Sequence, residues 1–139
     1  MEVILVSNQE EVAAVAPVIQ QLRPQYELNE LIGLLIQQMK SGYQLAYVMR
    51  DGNVLSVAGF VTGQKLSCGQ YLYIDDFVTD EAHRSEGAGQ YLMDWFKDYA
   101  EVNHIDEIHL DSGVQRFAAH KFYLTEGFAI SSHHFCYRC

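Results

Sequence analysis

Tyr73-Ile74-Asp75-Asp76-Phe77-Val78-Thr79-Asp80-Glu81-Ala82-His83-Arg84-Ser85-Glu86-Gly87-Ala88-Gly89 is the stretch that decides how this chain folds. It reads as strand, loop, glycine pair and helix start. Gln70–Val78 has strand character after a turn at Ser67–Gly69. A long helix is expected from about Gly87 to Val102, with Ala88, Leu92, Trp95, Phe96 and Tyr99 facing inward. Gly87 and Gly89 let backbone N–H groups approach an anion without interference from a Cβ. The helix start adds unpaired N–H groups and a positive dipole end, and Arg84 adds a fixed positive charge. Together these residues suit a pyrophosphate. The loop is not a Walker A motif, because no Gly-Lys-Ser/Thr follows. It is not a dinucleotide fingerprint either, because the third glycine is missing. An isolated Arg-x-x-Gly-x-Gly is an ordinary helix start. Here the strand before it, the amphipathic helix after it and a second motif downstream favour a phosphate cradle.

Working outward, Met1–Val6 reads as a short buried strand. Ser7 with Glu10 makes a capping box, and Val12, Val15, Ala16, Ile19 and Leu22 follow at helical spacing, with Pro17 expected to kink or restart the helix. A second helix covers about Glu27–Lys40, striped by Leu28, Leu31, Ile32, Leu35 and Met39 and ended by Ser41-Gly42. The period then changes to two. Tyr43–Arg50 and Val54–Thr62 form a hairpin through Asp51-Gly52-Asn53. Beyond the long helix come a strand at Ile105–Leu110, a helix at Gln115–Glu126 and a last strand at Phe128–Tyr137. The order is β-α-α-β-β-β-α-β-α-β, a mixed α/β class in which antiparallel hairpins precede β-α-β units. No repeat or linker interrupts it, so residues 1–139 read as one domain.

Composition narrows the function classes. The net charge is −9, from 18 acidic and 9 basic residues, which argues against nucleic acid as a partner and suits a cationic acceptor. No apolar run is long enough to span a bilayer. The N-terminus lacks the basic start of a secretory signal, so a cytoplasmic location is expected and no membrane. Three cysteines do not make a disulfide framework. Cys136-x-x-Cys139 closes the chain with neither a following helix nor a second pair. No His-Glu-x-x-His or Gly-x-Ser-x-Gly pattern competes, and no metal is expected.

Arg84-Ser85-Glu86-Gly87-Ala88-Gly89 resembles the coenzyme A loop, Arg/Gln-x-x-Gly-x-Gly/Ala, of the GCN5-related N-acetyltransferase family. Ala119-His120-Lys121-Phe122-Tyr123-Leu124-Thr125-Glu126-Gly127-Phe128 resembles that family's Ala-x-x-Phe-Tyr-x-x-x-Gly-Phe motif. The element order matches along essentially the whole chain, which implies a central, mostly antiparallel mixed sheet flanked by helices. The resemblance implies an enzyme that moves an acetyl group from acetyl-coenzyme A to a primary amine on a small molecule or protein, by direct attack in a ternary complex. Backbone N–H groups from Ser85, Glu86, Gly87, Ala88, Gly89 and Gln90, with Arg84, would hold the pyrophosphate. Phe77, Val78 and Thr79 would pair with the pantetheine arm. Tyr123 would protonate the leaving thiolate. Asp75 stands where many relatives carry a catalytic glutamate. Alternation puts Asp75 and Asp76 on opposite faces of their strand, with Asp76 in a structural role. A lysine-like amine costs about 4.6 kcal/mol to deprotonate at pH 7, so a carboxylate that takes its proton helps. Arg116 stands where the family often has Asn, and His120 reads as a packing or cofactor-side residue. Relatives are often dimers, so a homodimer is an available state. The rival class is a catalytically silent acyl-CoA sensor or interaction module.

Overall fold

The computed structural model describes residues 1–139. It divides into two compact units, Met1–His109 and Leu110–Cys139. The elements are β1 (Glu2–Leu5), α1 (Gln9–Leu22), α2 (Leu28–Met39), β2 (Gln44–Arg50), β3 (Asn53–Lys65), β4 (Gly69–Thr79), a 3-10 turn at Glu81–His83, α3 (Ala88–Val102), β5 (Glu107–Leu110) and α4 (Phe117–Thr125). The five strands form one mixed sheet in the order β1-β2-β3-β4-β5.

Local sequence accounts for most boundaries. Asn8, rather than Ser7, caps α1 by accepting from the Glu11 N–H at 2.9 Å, and Glu11 in turn accepts from the Ser7 N–H at 3.1 Å. The N-cap therefore sits one residue later than the sequence pattern suggests. α1 runs through Pro17 without a break, because tertiary burial of Val15, Ala16, Val18 and Ile19 outweighs one lost hydrogen bond. Asp51 and Gly52 both have positive φ (51° and 78°), as a two-residue type I′ turn requires, and Arg50 pairs with Asn53 across it. β1 pairs with β2 alone and is only partly buried, so it is an edge strand rather than a buried one.

Alternation along β2 and β3 supplies two cores. Tyr43, Leu45, Tyr47 and Val57 pack with Val12, Val15, Ile19, Leu31 and Leu35 of α1 and α2. On the other face Phe60 meets Phe96 edge-on at 5.1 Å, with Trp95 and Tyr99 beside it. Ala88, Leu92 and Met93 of α3 are fully buried.

In the second unit, α4 ends on a Schellman motif. Gly127 (φ 97°) is its left-handed residue. The Phe128 N–H donates to the Tyr123 carbonyl at 3.0 Å and the Gly127 N–H to that of Leu124 at 3.2 Å. The strand expected at Phe128–Tyr137 is not formed, and residues 128–139 carry no regular secondary structure. Period-two patterning states only a preference for a pleated, half-buried surface; a ladder partner turns it into a strand. Phe128 instead serves as the residue after the helix-ending glycine.

Candidate active site

The site begins at a fault in β4. Gly59 pairs with Asp76, but the next residue, Phe60, pairs with Ile74, so Asp75 is a bulged extra residue. Before the bulge Tyr73 shares a face with its partner Val61; after it Asp76 shares that same face with Gly59. Asp75 and Asp76 therefore both point toward α1 and α2. This corrects the alternation expected from sequence, which a bulge shifts by one residue.

The two carboxylates then have different company. Asp76 is pinned: the Tyr43 hydroxyl donates to it at 2.6 Å and Arg23 Nε at 3.0 Å. Arg23 also donates through Nη2 to the Asp75 carbonyl at 3.2 Å, so one guanidinium clamps the bulge from the end of α1. Burial, then the adjacent Asp76 carboxylate, pushes the Tyr43 phenol far above its ordinary value of 10.0, keeping it a permanent donor. Room for the Tyr43 ring exists because residue 59 is glycine. A Cβ there would lie 1.6 Å from the Tyr43 hydroxyl oxygen. Asp75 is exposed and lines a cleft of about 380 Å³ with Leu34, Gln37, Gln38, Ser41, Tyr43 and Val61. That is the size of a small-molecule site, apolar with a few polar groups.

β4 delivers the chain to the Arg84–Gly89 loop. Phe77, Val78 and Thr79 pair with Ala58, Val57 and Ser56. Asp80 caps the 3-10 turn and is held by Gln21 Nε2 at 3.0 Å, which lowers its pKa. The Gln21 amide oxygen accepts the Glu81 N–H at 2.9 Å. Ser85 adopts φ 64° and Gly87 φ 84°, an unusual left-handed non-glycine two residues before the glycine that opens α3. Side chains cap α1, α2 and the 3-10 turn, but none caps α3. Its first amides, at Ala88, Gly89 and Gln90, are thus left for an outside acceptor. Glu86 is an acidic residue in this loop, and Arg50 pairs with it while His83 Nδ1 lies 3.2 Å away. The Arg50 hydrogen bond holds the Glu86 carboxyl below its usual range.

In the second unit, Tyr123 lies on α4 with its ring against Phe122 at 5.4 Å and Phe128 at 5.9 Å. Burial raises its phenol pKa and Arg116 opposes that rise. Arg116 is the N-cap position of α4. His120 contacts the Gly113 carbonyl through Nε2 at 2.7 Å.

The sequence offers Asp75 and the Arg84–Gly89 loop as candidates, but it does not mark Arg23, Gln21, Tyr43 and Gly59, which the structure places around them. No local pattern marks them, because their partners lie more than 15 residues away along the chain.

Residues 11–128 match the family described as Acetyltransferase (GNAT) family. A relative named Uncharacterized N-acetyltransferase YhdJ, from Bacillus subtilis (strain 168), is 30% identical over 131 residues, covering 93% of this chain and 92% of its own. Among solved structures, a ribosomal-protein-alanine N-acetyltransferase from Brucella melitensis biovar Abortus 2308 superposes with a TM-score of 0.86 at 17% identity, covering all of both chains. The aminoglycoside N-acetyltransferase AAC(6')-Iy, solved in complex with CoA, gives 0.85 at 13% identity, covering 99% of this chain and 93% of the other. These two likenesses establish the shared fold. The family match and the relative's identity carry the assignment further, and the chain belongs to the GNAT acetyltransferase family.

Proposed function

We propose that this protein transfers an acetyl group from acetyl-coenzyme A to a primary amine by direct attack in a ternary complex, with both compact units acting as one domain. The observation that carries the reading is the bulge at Asp75, which turns an exposed carboxylate into a cleft on the strand leading to the uncapped start of α3. Arg84 and the amides from Ser85 to Gln90 bind the pyrophosphate. Phe77, Val78 and Thr79 align the pantetheine arm. The acceptor amine enters the cleft and passes a proton to Asp75, directly or through water. Its lone pair adds to the acetyl carbonyl, and the Phe77 or Val78 N–H stabilises the oxyanion. The C–S bond then breaks as Tyr123, whose raised pKa keeps the phenol protonated, gives its proton to the thiolate; the extra proton on the acylated nitrogen passes to the phenolate, directly or through water, leaving the neutral amide. The pinned state of Asp76 supports a structural part for that residue. The amine acceptor and a cytoplasmic setting belong to the same proposal; no helix is long and apolar enough to cross a membrane.

The test is thiol release from acetyl-coenzyme A across a panel of amino acids, polyamines, aminoglycosides and peptide N-termini. Release with at least one amine is expected. Coenzyme A binding without release on any amine would favour the silent sensor, and no binding would remove the acyl-donor assignment.

A further inference from the structure

We propose that Cys68, Glu107 and His109 form a site for a thiophilic divalent cation, Zn²⁺ above all, that clips the β3–β4 turn to β5. The three donor atoms lie within 4.8 Å of one another. A tetrahedral zinc centre with bonds of about 2.0–2.3 Å spaces its donors ~3.3–3.7 Å apart, so the set has to draw in by only about 1 Å to hold the ion. Glu107 and His109 are two residues apart on β5 and so share a face. His109 Nε2 already lies 2.8 Å from Glu107 Oε1. The Cys68 sulfur has only a 3.9 Å contact to the Gly69 carbonyl, and no disulfide engages it.

The backbone beneath this cluster is fixed independently of any metal. The Gln70 N–H donates to Asp106 Oδ2 at 2.8 Å, and the Asp106 N–H donates to the Gln70 carbonyl at 2.8 Å. That reciprocal pair joins the residue just before Glu107 to the residue two past Cys68. Gly69 between them has φ 81°, and a Cβ there would meet Asp106 Oδ2 at 2.5 Å. Tyr73 stacks on the His109 ring, 11° from parallel with centroids 6.1 Å apart, and limits its rotation. The site is thus preorganised by contacts between segments nearly forty residues apart in sequence.

The donor set selects the ion. A thiolate, an imidazole and one carboxylate suit zinc and its neighbours, whereas magnesium and calcium prefer oxygen cages. On binding, the Cys68 thiol releases its proton to solvent and the S–metal bond forms. His109 binds through Nε2 as the neutral ring with its proton on Nδ1, and water completes four-coordination. Nothing is oxidised or reduced. The cluster flanks the start of β4, whereas the α3 loop follows its end. At about 3.3 Å per residue roughly 30 Å of strand separates the two, so the metal is given a structural role, and its binding is read without any acetyl-transfer assay.

The test uses the full chain carrying Cys136→Ser and Cys139→Ser, freed of metal and titrated with Co²⁺. One equivalent should give a thiolate-to-cobalt charge-transfer band and tetrahedral d–d absorption. Zn²⁺ should displace the Co²⁺ and raise the thermal midpoint. Cys68→Ser and His109→Gln should each weaken binding by more than the ~10–100-fold typical of groups behind the ligands, with far-UV circular dichroism unchanged. A missing thiolate band, or one that survives Cys68→Ser, would overturn the site.

Discussion

At the scale of single residues, two adjacent aspartates are separated in role by their hydrogen bonds. Asp76 is occupied by Tyr43 and Arg23, whereas Asp75 faces the cleft. If Asp75 accepts the amine proton, Asp75→Ala should lower kcat/KM by on the order of 100-fold at low pH. The deficit should shrink as pH approaches the amine's own pKa of ~10.4, where the acceptor is already neutral. A pH–rate profile checks this; a deficit independent of pH would assign Asp75 a positioning role. Tyr123→Phe should reduce kcat by on the order of 100-fold and leave coenzyme A affinity, read by calorimetry, nearly unchanged. Equal losses in both would mean that the phenol serves binding rather than proton transfer.

Among the elements, the β4 bulge and its support from β2 and β3 form the unit that matters. Gly59→Ala places a methyl group inside the Tyr43 ring and should cost about 2–4 kcal/mol, from overpacking and from the lost donor to Asp76. Urea unfolding measures it. Tyr43→Leu in the same chain should recover part of the loss, since the two changes share one space. A change under about 0.5 kcal/mol would mean that the ring relocates freely. The bulge itself was not legible in sequence, because Ile74-Asp75-Asp76-Phe77 alternates acceptably in either register. The Asp51-Gly52 hairpin, the stripe of α2 and the Gly127 helix end were legible, because backbone sterics and helical periodicity act within a few residues.

Over the whole molecule, pH should bound stability on both sides. The Tyr47 hydroxyl holds the Glu11 carboxyl below its ordinary value, and Gln21 does the same for Asp80. Both contributions are present above the unfolded values of 4.5 and 3.8, and are lost as pH falls through the lowered folded values. Burial raises Tyr43, and pushes Tyr47 to about 12. The unfolded chain then sheds phenolic protons first, so stability is full below pH 10 and declines above it. Urea midpoints against pH should show both limbs. Glu11→Gln should flatten the acid limb and Tyr47→Phe the alkaline one; unchanged limbs would assign the pH dependence to other groups.

Short-range physics settled much of this protein from its sequence: the element order as far as α4, the hairpin turn, the glycine loop before α3 and the family those features resemble. Each depends on periodicity or on one residue's backbone freedom, which act locally. The tertiary structure alone decided that Asp75 and Asp76 share a face, that Arg23 and Tyr43 hold the bulge, that Phe128–Tyr137 forms no strand, and that Cys68 meets Glu107 and His109. Those outcomes depend on register and on pairings between distant segments. No local preference encodes them, since each is chosen by the burial and hydrogen bonding of the assembled sheet.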